Sequence, residues 1–131
     1  MREIRIWDGN KYHYPEANEN ETNHHLQIGS NGFFSLWDGE GNFITSSEKG
    51  GIIEWSTGIL DKNENKIFEG DIVRNVNDQS EAFLEDSTVE WHPEISGFVL
   101  IFESIGQYKM IGLYEELEVA GSIHQSLTPN K

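Results

Sequence analysis

Cysteine is absent from this 131-residue chain. That excludes a disulfide framework, a thiolate-ligated metal and a thiol nucleophile. Lysine and arginine are scarce. Nine of them face 23 acidic residues, a formal charge of −14 at pH 7. No Lys/Arg cluster occurs, so a direct nucleic-acid grip through phosphates is not expected. Long apolar runs are missing as well. The longest, Phe98 to Phe102, is far short of the ~20 residues that cross a bilayer as a helix. Met1 to Tyr14 (MREIRIWDGNKYHY) holds no apolar h-region, so no secretory signal is expected and the cytoplasm is the expected compartment. No Gly-x-Gly-x-x-Gly, Walker loop or nucleophile elbow is found, and no cofactor is expected.

What the chain does have is aromatic mass: four Trp, four Tyr and seven Phe, with 36% hydrophobic residues in all. That argues against disorder of the whole chain. The length suits one compact domain, or two small lobes sharing a core. The acids are spread along it. Residues 1–56 hold nine acids and four bases; residues 57–131 hold 14 acids and five bases. Such a surface has three readings: solvation, a docking face for a basic protein, or imitation of the charge of DNA.

Periodicity favours strands. Ile4 and Ile6 alternate, Asp8-Gly9-Asn10 supplies turn chemistry, and Lys11 to Tyr14 alternates again, which predicts a hairpin. Pro15 to His25 (PEANENETNHH) is polar and aperiodic and reads as a flexible loop. Leu26–Ile28, Phe33–Trp37, Phe43–Thr45 and Ile52–Trp55 complete an N-terminal β meander over residues 1–56. From Thr57 the texture changes. Ile67–Phe68, Ile72–Val76, Val89–Trp91, Phe98–Phe102, Ile111–Leu113 and Leu117–Val119 are further short strands, with a short helix around Tyr114-Glu115-Glu116 as an alternative near the end. Phe98–Phe102 is apolar on both faces and is expected at the centre of a sheet. This spacing, with no sustained helical period, predicts a mainly β protein with a small SH3-like barrel in residues 57–131, a shared core between the two regions being one option.

Candidate chemistry is thin. Asp61-x-Asn63-x-Asn65 has the look of a calcium loop, but Lys66 and Ile72 stand where an EF-hand requires Gly and a bidentate Glu. An Asx-rich turn explains the residues better. His24-His25 near Glu19 and Glu21 offer metal donors on a polar loop without rigid support. His92 with Glu90, and His124 with Glu118, are conceivable acid–base pairs for a hydrolase. Asn20-Glu21-Thr22 is a chance sequon where no secretion is expected. Trp7, Trp37, Trp55 and Trp91 lie on strands, which favours core or interface over a base-stacking platform, since basic neighbours are lacking. In Gly70-Asp71-Ile72-Val73, glycine permits a sharp bend, and the carboxylate can accept backbone N–H groups that hold it.

The stretch Thr57-Gly58-Ile59-Leu60-Asp61-Lys62-Asn63-Glu64-Asn65-Lys66-Ile67-Phe68-Glu69-Gly70-Asp71-Ile72-Val73 resembles the YopX-like family of small phage and prophage proteins. The family pattern there is Thr-Gly-Leu, an Asp-Lys-Asn-Gly turn, then aromatic-Glu-Gly-Asp-Ile-Val. Met1–Ile4 with Trp7-Asp8, Val89-Glu90-Trp91 with Gly97-Phe98, and Leu117–His124 extend the likeness over nearly the whole chain. Three positions depart: Ile59 for Leu, Glu64 for Gly, and Ala120 for a larger aliphatic. The resemblance implies a mainly β fold with a barrel-like C-terminal part, a phage or prophage origin and residence in the bacterial host cytoplasm. It carries over no catalytic residues. Thr57, Gly58, Asp61, Glu69, Gly70 and Asp71 are expected to be structural. The expected function is a non-enzymatic accessory module that binds protein partners, with self-association among its options. An acidic DNA mimic and a His/Glu hydrolase are the alternatives.

Overall fold

A computed structural model describes residues 3–15, 24–75, 86–103, 106–111 and 117–125. The chain is mainly β, as its periodicity predicts. It divides into two compact units, Met1–Trp55 and Ser56–Lys131. The alternative helix around Tyr114, residues 77–85 of the polar connection expected over 77–86, and most of the loop after Pro15 lie outside the described residues.

In the first unit the strands are β1 (Ile4–Trp7), β2 (Tyr12–His13), β3 (His25–Ile28), β4 (Phe34–Trp37), β5 (Phe43–Ser46) and the opening part of β6 (Ile52–Leu60). Strand β1 pairs antiparallel with β2 on one side and β6 on the other. The β1–β2 turn forms where Asp8-Gly9-Asn10 predicts it. Asp8 Oδ1 accepts the N–H groups of Asn10 and Lys11, at 2.7 and 2.8 Å, an Asx turn. Strands β3, β4 and β5 form a second antiparallel sheet in that order. Ile4, Ile6, Phe34 and Leu36 make the core, with Leu26, Ile44 and Ile53 packed against it. Gly51 is needed for close approach: a Cβ there would lie 2.9 Å from Thr45 Oγ1 and 3.0 Å from the Ser46 carbonyl oxygen.

In the second unit the rest of β6 pairs with β7 (Lys66–Phe68) across a bulge between Ser56 and Leu60. Strands β8 (Asp71–Asn75), β9 (Ser87–His92), β10 (Gly97–Phe102), β11 (Gln107–Met110) and β12 (Leu117–Ser122) form an antiparallel sheet in the order β11-β10-β9-β8-β12. The middle strand is therefore β9. Phe98–Phe102 is one place nearer the edge than its apolar run suggests. Its burial does match: Phe98, Leu100 and Phe102 enter the core with Ile67, Val73, Val89 and Leu117, while Val99, on the opposite face, is also buried. Apolarity reports burial on both faces, and any interior strand can have that.

Two departures from the family pattern acquire a local meaning. Glu64 adopts φ 66°, the left-handed region in which a side chain costs about 1–2 kcal/mol. Glu64→Gly is expected to raise stability by about 0.5 kcal/mol, because relief of that strain exceeds glycine's extra unfolded-state freedom. A higher urea midpoint with an unchanged slope is the readout. Ala120 is buried and sits at the bulge between Val119 and Gly121, where β12 shifts register against β8. A bulged residue has no partner opposite it.

The four tryptophans do not enter the core. Trp7 and Trp37 are half-buried, and Trp55 and Trp91 are exposed. Three of them sit opposite another aromatic across a strand pair: Trp7 with Tyr12, Trp37 with Phe43, Trp91 with Phe98. Ring centroids are 4.9, 5.2 and 5.1 Å apart, all edge-to-face. Indoles are large and carry an N–H, so the edge of a strand pair suits them better than a small dry core.

Candidate functional site

Thr57, Gly58, Asp61, Glu69, Gly70 and Asp71 lie along one connected piece of backbone. Thr57 Oγ1 donates to the Ile67 carbonyl at 2.8 Å and accepts the Ile59 N–H at 3.1 Å. Gly58 has φ 83° at the bulge of β6. Asp61 is buried: Oδ1 accepts the N–H groups of Asn63 and Asn65, each at 2.8 Å, and Oδ2 accepts that of Val119 at 3.1 Å. Burial works against the charge of this carboxylate, but the Val119, Asn65 and Asn63 donors outweigh it and hold it below the ordinary value. Both oxygens thus face N–H donors, which fits an Asx turn and not a cation site. Gly70 takes φ 85°, half-buried Glu69 precedes it, and buried Asp71 accepts the Phe68 N–H through Oδ2 at 2.8 Å. These contacts fix the local backbone turns.

The histidines are dispersed. His13 Nε2 lies 2.7 Å from Asp8 Oδ2. Its ring meets that of His24 edge-on, with centroids 5.8 Å apart. His25 opens β3 and is exposed. His92 stacks at 5.0 Å from the Tyr108 ring, while Glu90 on the same strand is exposed. Glu118 lies 3.4 Å from Lys62 Nζ, and His124 follows β12 in a turn. Glu19 and Glu21 lie outside the described residues. No group of three or more His, Asp or Glu suited to a metal is found among the described residues, and none of their helices is long and apolar enough to cross a membrane.

Burial, and then the nearby His13, hold His24 below the usual histidine value, against the opposing influence of Asp38. For Asp8 burial again opposes the charge, but the Lys11 N–H, His13 and the Asn10 N–H prevail and hold it low. The signs give two steps on acidification. His24 favours the fold while neutral, so stability begins to fall as pH drops through about 6.5. Asp8 and Asp61 favour it while charged, so their share is lost lower, as pH falls below about 3.9. Urea titrations across pH should show both steps. His24→Gln should erase only the upper one.

A surface of a different kind lies in the first unit. Ile28, Phe33 and Phe43 are 53%, 58% and 45% exposed. They line one open groove of about 560 Å³, which reaches from the end of β3 to the 3₁₀ turn Ser47–Lys49 after β5. Ser35, Glu48 and Lys49 line it as well. The β-strand pleat explains the exposure of Phe33. Phe34 and Leu36 face the core, so a residue next to Phe34 cannot. Phe43 follows the Gly41-Asn42 turn and meets Trp37 edge-to-face outside the core. The groove was not read from the sequence. The usable signal was Phe33-Phe34, two adjacent phenylalanines of which only one can face inward.

No curated protein matches the chain. Among solved structures, the protein yopX from Bacillus subtilis is similar at a TM-score of 0.64 and 20% identity, over 95% of this chain and 94% of that one. Protein EF1440 from Enterococcus faecalis is similar at 0.53 and 23%, over the same shares. At those identities the likeness concerns the fold. The sequence profile of the YopX protein family matches residues 3–128, which takes in the whole Thr57–Val73 stretch, and the chain belongs to that family.

Proposed function

We propose that this chain is a non-enzymatic accessory module of a phage or prophage, working in the host cytoplasm by binding another protein. The observation that carries the reading is the groove in the N-terminal unit, where three large apolar side chains gather in solvent. Scattered apolar residues on a surface are ordinary, but a contiguous set around a concavity marks a contact site. Several of the other candidate groups are engaged within the fold. Glu54, Asp61 and Asp71 are buried, so they add nothing to a phosphate-like surface, which weighs against the DNA-mimic reading. His92 and His124 lie on different strands or turns, and Glu118 faces Lys62, which gives the hydrolase reading little support.

Affinity capture of the tagged protein from induced host cells tests this. The comparison is between the natural chain and the Phe33→Ser/Phe43→Ser double variant. A specific protein retained by the first and lost with the second is expected. Identical eluates would overturn the reading.

A further inference from the structure

We infer that the occupant of the groove is an extended basic segment of a partner protein, with one aliphatic or aromatic side chain seated between Phe33 and Phe43 and a Lys or Arg beside Glu48. The inference rests on the protein-binding reading and adds the chemistry of the partner. The groove spans a three-stranded sheet. At about 4.8 Å between strands it is about 10 Å across, the length of three extended residues. The apolar content comes from Ile28, Phe33 and Phe43. They suit an apolar anchor but select no sign of charge.

Charge makes that selection. The chain carries −14, and the first unit contributes nine acids against four bases. A second copy of the chain would bring the same excess to the contact, and an acidic partner would do likewise. A basic segment gains from the field at every step of approach, more so at low salt. Within the first unit one of the bases, Arg5, is buried against Glu54. Glu48 is exposed at the groove. Lys49, beside it, opposes a basic occupant locally, and that supplies a control of opposite sign.

Three synthetic peptides of equal length are the probes, each alternating Val with one polar residue type around a central Phe. The polar residue is Lys, Ser or Glu. Calorimetry at low salt gives affinity, and backbone amide shifts of the full chain give location. The Lys peptide is expected to move the amides of Gln27–Gly29, Phe33–Ser35 and Ser46–Lys49, and to bind roughly tenfold tighter than the Ser peptide. Phe33→Ser or Phe43→Ser should each weaken it by roughly tenfold, with amide positions far from the groove unchanged as the check on folding. Glu48→Lys should weaken it, Lys49→Glu should tighten it, and added salt should narrow the gap between the Lys and Ser peptides.

If the Ser peptide binds the groove as tightly as the Lys peptide and both charge variants leave the affinities unaltered, the basic-segment inference falls while the docking reading stands. Preference for the Glu peptide overturns it as well. If no peptide moves the groove amides, the inference falls, and the capture comparison of Phe33→Ser/Phe43→Ser decides the docking reading separately.

Discussion

Asp61→Ala should lower the unfolding free energy by about 3–4 kcal/mol, a large loss for a polar residue. The carboxylate joins two segments far apart in sequence. One oxygen accepts two N–H groups of its own turn, and the other accepts the Val119 N–H on β12, 58 residues away. Removal leaves three donors without an acceptor. Water can reach the exposed turn residues but reaches the paired strand less easily, so the Val119 bond should dominate the cost. A hydrogen bond to a charged acceptor is worth about 1.5–3 kcal/mol, and a stranded buried donor adds its desolvation penalty. Asp61→Asn retains one acceptor oxygen and turns an NH₂ group toward N–H donors, so a loss of about half as much is expected. Urea denaturation gives the magnitudes. Hydrogen exchange at Val119 separates the strand contact from the turn contacts. The acid-side stability loss below pH 4 should also shrink in Asp61→Ala, because the depressed carboxylate is then gone.

The second large effect concerns a pair hidden in the first unit. Arg5 and Glu54 are 5% and 3% exposed, lie directly opposite each other on β1 and β6, and meet at 2.9 Å. The Tyr12 hydroxyl donates to the same Glu54 oxygen at 2.8 Å, and its ring sits 4.1 Å from the Arg5 guanidinium carbon. Arg5→Met leaves a buried carboxylate with only Tyr12 from this set, and a loss of about 3–5 kcal/mol is expected. Glu54→Leu removes the carboxylate that pairs with the buried guanidinium, at a similar cost. The double variant Arg5→Met/Glu54→Leu should recover most of the loss, since neither charge then has to leave water. A double-mutant cycle by chemical denaturation measures the coupling. Additive single losses would show that the two groups are solvated independently and that the buried contact does not form.

The hairpin at Asp8 and the turn at Asp61 were legible because their causes are local. An Asp side chain reaches N–H groups two to four residues ahead, and sequence alone says so. Two-residue alternation was equally plain for Ile4 and Ile6. It says nothing of Arg5, which lies between them and is nevertheless buried. Strand β1 is flanked on both sides, by β2 and β6, and its second face is covered too. Which strands flank it depends on pairing across more than 45 residues of chain, so no local signal reveals that Arg5 is buried or that Glu54 answers it.

Of the two settings expected for the tryptophans, core or interface, the core is not the one found, for a related reason. Hydrophobicity favours an indole in the core, but cross-strand register put Trp7, Trp37 and Trp91 opposite other aromatics at partly exposed positions. The groove was unreadable in the same way. Phe33, Phe43 and Glu48 come together only because β3, β4 and β5 align side by side.

The amino-acid sequence by itself determined the strand-rich character, the turns, the acidic charge and the membership implied by Thr57 to Val73, because each depends on contacts a few residues long or on composition. Tertiary structure alone decided that Asp61 holds β12, that Arg5 and Glu54 are buried together, and that three apolar side chains share an open groove. Each of those requires residues distant in sequence to meet, and the free energy of that meeting belongs to the folded register and not to either segment.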